Sequence, residues 1–245
     1  MFMIKISLES IYKRYFMKKT MTQFLSELDE IEINQGICDQ TTSKNNITNL
    51  TKLYICNYYD LIELPNSFWL LKELKLLTIS CCYDLEEIPK DIRNLTKLEE
   101  IDFFGIESLK LSPEVFKLPN LKKLFMSINL SQMPNLIWNL PKLEHLKLNG
   151  CHNFDTSILS KLITNLSNLK IIELLYLEDI DDELLQTLTL LPNLEVLRID
   201  DCYELPKSLY DNKNLKIFHE EVECENSYYD KDMCIIDGDN EYSDD

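Results

Sequence analysis

One pattern of apolar residues recurs along this chain with a step of 24, and that recurrence restricts the fold more than any other feature. Leu74, Leu77, Ile79, Cys82, Leu85 and Ile88-Pro89 stand at offsets 0, 3, 5, 8, 11 and 14 to 15. Counting 24 back gives Leu50, Leu53, Ile55, Tyr58, Leu61 and Leu64-Pro65, and counting 24 forward gives Leu98, Ile101, Phe103, Ile106, Leu109 and Ser112-Pro113. A unit of this length cannot bury its apolar face alone, so it is stable only when stacked on neighbours that complete its core. Further starts fall at Leu121, Leu143, Leu169, Leu194 and Leu215, and the spacing varies after the short strand-like segment.

Within the central unit, LKLLTISCCYDL from Leu74 to Leu85 fits the form LxxLxLxx(N/C)xxL, and the tails LIELPNSFWLL and LEEIPKDIRNL follow two such segments. These motifs resemble the leucine-rich repeat family, in the variety common in plant disease-resistance receptors and short intracellular repeat proteins. The resemblance covers residues 28 to 218. It implies an α/β solenoid with a concave parallel β-sheet, convex 3-10 or helical segments, and a role in binding proteins.

The expected organisation has three parts. Residues 1–24 carry Lys5, Lys13, Arg14, Lys18 and Lys19 against Glu9, with Ile4, Leu8, Ile11, Tyr12, Tyr15 and Phe16 spaced to share a helical face. They predict an amphipathic helix from about Ser7 that caps the first face of the solenoid. Residues 25–219 form the solenoid, with LDEIEINQG, Leu28 to Gly36, as a degenerate repeat ahead of Leu50. In the last repeat Leu215 and Phe218 take inward slots, and Glu220 at the next inward slot ends the pattern. Residues 220–245 hold eleven acidic residues against Lys231 and are expected to be a disordered acidic tail. On the convex side, DTSILSKLITNL offers Asp155, Thr156 or Ser157 as an N-cap, and DIDDELLQTLTLL offers Asp181 or Asp182.

A net charge of -17 repels nucleic acid phosphates and anionic membranes, so nonspecific binding of either is not expected, whereas basic partners fit. The N-terminus lacks the apolar run of a signal peptide, and no stretch reaches the ~18 apolar residues of a membrane span, which predicts a cytoplasmic protein. Eight cysteines are scattered at 38, 56, 81, 82, 151, 202, 224 and 234. Cys82, Cys151 and Cys202 take inward slots of repeats that are not neighbours, so they read as reduced structural thiols. Chemistry finds few candidates: His145, His152 and His219, and no glycine-rich phosphate loop. His145 points to the concave face and Cys151 into the core, so no metal site forms with His152. Neither an enzyme nor a cofactor is expected.

What remains is a surface. In xLxLx the two L positions point in and the three x positions out. The first outward row is Lys52, Leu76, Glu100, Lys123, His145, Ile171 and Val196. The central row is Tyr54, Thr78, Asp102, Phe125, Lys147, Glu173 and Arg198, and the third is Cys56, Ser80, Phe104, Ser127, Asn149, Leu175 and Asp200. The candidate contacts for a protein partner are Tyr54, Leu76, Phe104 and Phe125, read as an aromatic patch, and the charged ladder Lys147, Glu173 and Arg198. The reading is a noncatalytic protein-binding module acting through this face. Two alternatives stand beside it. A repeat domain with an acidic tail also resembles acidic nuclear phosphoproteins, chaperones of basic, histone-like proteins. Repeats of this kind also serve as substrate receptors of ubiquitin ligases.

Overall fold

The computed structural model describes residues 50–58, 61–127, 138–150, 156–177, 180–200 and 205–220, together with the backbone of 3–7. Each xLxLx segment forms one strand: β2 Lys52–Cys56, β3 Leu76–Ser80, β5 Glu100–Phe104, β7 Lys123–Met126, β8 His145–Asn149, β9 Ile171–Leu175 and β10 Val196–Asp200. With β1 Met3–Ser7 at one end and β11 Lys216–Glu220 at the other, they make a nine-stranded, all-parallel sheet in the order β1-β2-β3-β5-β7-β8-β9-β10-β11. Two short strands, β4 Glu87–Ile88 and β6 Lys110–Leu111, pair in parallel as a second sheet. The α/β leucine-repeat solenoid read from the sequence is thus the observed architecture.

The registers explain why the repeat is so strict. Leu53, Leu77, Ile101, Leu124, Leu146, Ile172 and Leu197 face the core side by side, and Ile55, Ile79, Phe103, Met126, Leu148, Leu174 and Ile199 form the next row; all are buried. The slot leucines Leu50, Leu74, Leu98, Leu121, Leu143, Leu169 and Leu194 are buried beneath them. Every layer is shared by two repeats, so a change of side-chain length in one is felt in the next. Cys82 takes the Asn/Cys slot as expected, its buried thiol lying 3.4 Å from the Ser80 carbonyl and 3.8 Å from that of Ile55. Cys56, Cys81 and Cys82 are all buried and none is in a disulfide.

A turn follows five of the strands, β2, β3, β5, β8 and β9. Asn57, Cys81, Gly105, Gly150 and Tyr176, the residues just after the strands, all adopt left-handed backbone with φ between 52 and 65°. This conformation turns the chain so that its N–H meets the next strand's end: Asn57 donates to the Ser80 carbonyl at 3.0 Å, Cys81 to Phe104 at 3.0 Å and Gly150 to Leu175 at 2.9 Å. Glycine suits the site because it has no Cβ to strain, and at Gly105 a Cβ would also stand 3.4 Å from the Cys81 sulfur.

On the approach to each strand a second ladder runs across the repeats. Lys75, Glu99, Lys122, Glu144, Lys170 and Glu195 occupy one position with alternating sign, and each backbone N–H from Glu99 to Glu195 donates to the carbonyl of the one before. Side chains join as well, Lys122 to Glu99 at 2.6 Å and Lys170 to Glu144 at 3.0 Å. Asn120, Asn168 and Asn193 each donate to a carbonyl of the preceding repeat, at 2.8, 2.6 and 2.8 Å. Exposed pairs of this kind add little each, but they favour one stacking order.

The convex side is as varied as the spacing implied. After the strands of the regular units come 3-10 turns, Asn66–Leu70, Lys90–Asn94 and Pro113–Lys117, the first two entered through an extended proline, Pro65 or Pro89. Later units use helices: α1 Thr156–Ile163, α2 Asp182–Thr189 and α3 Lys207–Asp211. Asp181 is the N-cap of α2, its Oδ1 accepting from the Leu184 N–H at 2.8 Å. Its other oxygen accepts from the Thr156 hydroxyl, which ties α1 to α2. Phe116 and Trp138 stack at 5.2 Å where the convex side closes between them.

Two expectations need correction. The strand beside β2 is not the Leu28 to Gly36 segment but β1, whose Met3 to Ser7 pair with Lys52 to Cys56. Residues 28 to 36, the amphipathic helix expected from about Ser7, and the acidic tail beyond Glu220 lie outside the described residues. The second correction is at the other end. Arg198 pairs with Phe218, and Leu197 with Ile217, so Ile217 takes the inward register and Phe218 faces outward, 48% exposed. The last repeat is one residue out of step with a count from Leu215. A one-residue slip exchanges the two faces of a strand, and the register that would bury Phe218 would also carry the Glu220 carboxylate inward. No helix among the described residues is long and apolar enough to cross a membrane.

Candidate functional site

The strand period sorts the face opposite the core into three rows, and the observed registers place every described residue in the expected row. The rows are not equally open. Cys56, Ser80, Ser127, Asn149, Leu175 and Asp200 of the third row are all buried, and Phe104 alone is half-buried. The accessible surface therefore consists of the first and central rows, with Phe104 at its border.

Even the central row has a covered place. Thr78, expected to point freely outward, is only 7% exposed, a short side chain flanked in register by Tyr54 and Asp102. Tyr54, Leu76, Phe104 and Phe125 are half-buried rather than open. Burial, followed by the nearby Glu100 charge, raises the Tyr54 phenol above its ordinary pKa. Phe125 does not meet Phe104 ring to ring: its edge-to-face contact is with His145, at 4.7 Å between centroids. The three aromatic residues thus stand on three strands, Tyr54 on β2, Phe104 on β5 and Phe125 on β7, with Leu76 on β3.

The charged ladder is more tightly made than its spacing suggested. Lys147 and Arg198 approach the Glu173 carboxylate at 3.8 and 3.6 Å from the neighbouring strands. His145, assigned to the first row and not joined to the ladder in advance, donates from Nε2 to Glu173 at 2.7 Å. That hydrogen bond, with the Lys147, His145 and Arg198 charges, holds the Glu173 carboxyl below the usual carboxylate range despite its burial. Arg198 also lies over the Phe218 ring, 5.6 Å from its centre, so the mis-registered last strand contributes an aromatic residue to the face. Glu220 at a supposed inward slot was the signal that a slip was needed.

Asp102 went unremarked in the sequence, although the row it occupies shows it between Thr78 and Phe125 with no cation beside it. Half-buried, it has no hydrogen-bond or ion-pair partner among the described residues. Desolvation pushes its carboxyl up to about 6; the distant Lys147 opposes the shift and Glu100 adds to it. Glu100 in turn is held by Lys123 at 3.0 Å.

Among the described residues no three His, Cys, Asp or Glu side chains are grouped so as to hold a metal ion, and Cys151 and His152 lie outside them. What the arrangement offers chemically is a broad face of half-buried aromatics and fixed charges.

Comparison with known proteins agrees with this architecture. A family model described as leucine-rich repeat region matches residues 47–228. Among solved structures, a leucine-rich repeat protein of Leptospira interrogans is 21% identical with a TM-score of 0.47, the match covering 89% of this chain and 58% of that one. An internalin from Listeria monocytogenes is 16% identical with a TM-score of 0.39, covering 72% of this chain and 62% of the other. The chain thus spans less than two thirds of the length of either. No curated protein matches it.

Proposed function

Since this chain belongs to the leucine-rich repeat family, whose members are generally protein-interaction modules, we propose that it is a noncatalytic binding module that holds a protein partner on the first and central rows of its concave sheet. The observation that supports this most is the run Tyr54, Leu76, Phe125, Arg198 and Phe218, large apolar and cationic groups placed on the sheet face rather than in the core. Aromatic and arginine side chains on such a face are what protein interfaces use as anchors. Phe104 at the border and the Lys147, Glu173 and Arg198 ladder extend the same surface.

The test is paired affinity capture from the source cell. Proteins retained by the full chain are expected to be lost from a variant with Phe104→Ala and Phe125→Ala, while Tyr210→Ala on the convex helix α3 retains them. The melting temperature of the double variant should fall by no more than about 5 °C, because neither ring lies in the core. Retention of every partner at full yield by the double variant would move the binding surface elsewhere.

A further inference from the structure

The concave face divides its charges unevenly. Glu173 collects His145 at 2.7 Å, Lys147 at 3.8 Å and Arg198 at 3.6 Å, whereas Asp102 on the same central row has no hydrogen-bond or ion-pair partner among the described residues, only the longer-range pull of Lys147. The strands packed against β5 offer nothing more. β3 carries no charged side chain, and the one cation of β7, Lys123, is taken by Glu100 at 3.0 Å. One strand further out stand Tyr54 and Lys52 on one side, and His145 and Lys147 on the other, the last two turned to Glu173. The Phe125 ring stands in register between Asp102 and Lys147.

An unpaired, half-desolvated carboxylate opposes folding, because it has lost water without gaining a donor. Its place at the middle of an open sheet face, with Phe125 beside it and Tyr54 beyond Thr78, gives it a use on binding. We infer that Asp102 seats a lysine or arginine side chain of the protein partner, which brings the missing positive charge and lays its stem against Phe125. This rests on the concave-face reading above and specifies the partner: a segment with a basic residue. Charge complementarity favours that occupant, since the chain carries -17 and a cationic head over an aromatic ring gains a second attraction. A metal ion is not the matching ligand, because one carboxylate does not supply the several oxygens a hard cation needs.

The experiment selects a displayed library of random peptides on the full-length chain and measures the affinity of the synthesised consensus peptide. The expected consensus holds Lys or Arg at one fixed position, and Asp102→Asn weakens its binding by about thirtyfold or more. Glu183→Gln, which removes an equal charge from exposed helix α2, leaves it unchanged. Binding to the unaltered chain should weaken as the pH falls through about 6, the value at which Asp102 takes a proton, and binding to Asp102→Asn should lack that transition. A consensus without a basic residue, or equal affinity for Asp102→Asn, overturns the inference. The same peptide on the Phe104→Ala, Phe125→Ala variant separates the two readings. Loss there with no effect of Asp102→Asn keeps the concave face and removes the cation seat, and indifference to both removes both.

Discussion

Asp102 and Glu173 are carboxylates on one row of one sheet, and their neighbours push them in opposite directions. Glu173 accepts from His145 and lies between Lys147 and Arg198, so its charge is stabilised; Asp102 is dominated by desolvation, which the Lys147 charge offsets only in part and the Glu100 charge reinforces. The folded-state pKa of Asp102 is about 6 against an ordinary 3.8, so the folded chain takes up this proton first as the pH falls. Its ionised form therefore destabilises the fold above pH 6, and that penalty disappears between about 6 and 3.8. Asp102→Asn should accordingly stabilise the protein by about 1–3 kcal/mol at neutral pH, with the gain shrinking toward zero near pH 4. Urea denaturation at several pH values measures it. A loss of stability at neutral pH would mean that Asp102 has a partner in the fold. Glu173 should behave in the reverse sense, its contribution present above the ordinary glutamate range and lost as acid protonates it below its lowered pKa.

At the scale of one strand, β11 is decided by two residues rather than by its starting leucine. Ile217 is partly buried against the core and Phe218 lies under Arg198, the reverse of the parity counted from Leu215. The register gives a sharp pair of outcomes. Ile217→Asp puts a charge on the inward side and should cost about 2–4 kcal/mol, whereas Phe218→Asp faces Arg198 and should change stability by less than about 1 kcal/mol. Thermal melts of the two variants compare them directly. If Phe218→Asp were the more damaging, the slip would be wrong and Glu220 would point inward.

Stability in a stacked array is distributed between neighbours, so position along the solenoid matters as much as local burial. Strands β3 to β9 have a completed layer on each side, while β11 ends the described sheet. Ile217 is only partly buried there, and Leu215 likewise, against full burial of Ile101 and Leu124 in the middle. Native-state hydrogen exchange should therefore show the Ile101 and Leu124 amides protected to the level of global unfolding and the Ile217 amide exchanging through a smaller opening. Uniform protection from β3 to β11 would show that the whole array unfolds as one unit.

The repeat and the identity of the inward residues from Leu50 to Ile199 were legible from spacing, the parallel sheet followed from the family resemblance that the repeat carries, and the strand period then gave the rows of the face. The reason is that a strand's period of two and a repeated length leave one way to bury every leucine. The Asp181 cap was legible within one residue, since a short polar side chain before an apolar run has few other uses. Which outward positions are open was not, because burial is set by what packs over a position in three dimensions; nor were the left-handed turns after β2, β3 and β9, which carry Asn57, Cys81 and Tyr176 where β5 and β8 have Gly105 and Gly150. Nor was the strand beside β2, which Met3–Ser7 takes from far upstream, a long-range pairing with no local signature. The charge pattern lay between these cases: the row order put Lys147, Glu173 and Arg198 together, but His145 joined them only through the length and direction of its ring. Asp102 was left without an ion pair among the described residues for the same reason, since side-chain reach across three strands, and not sequence spacing, assigns each charge its partner.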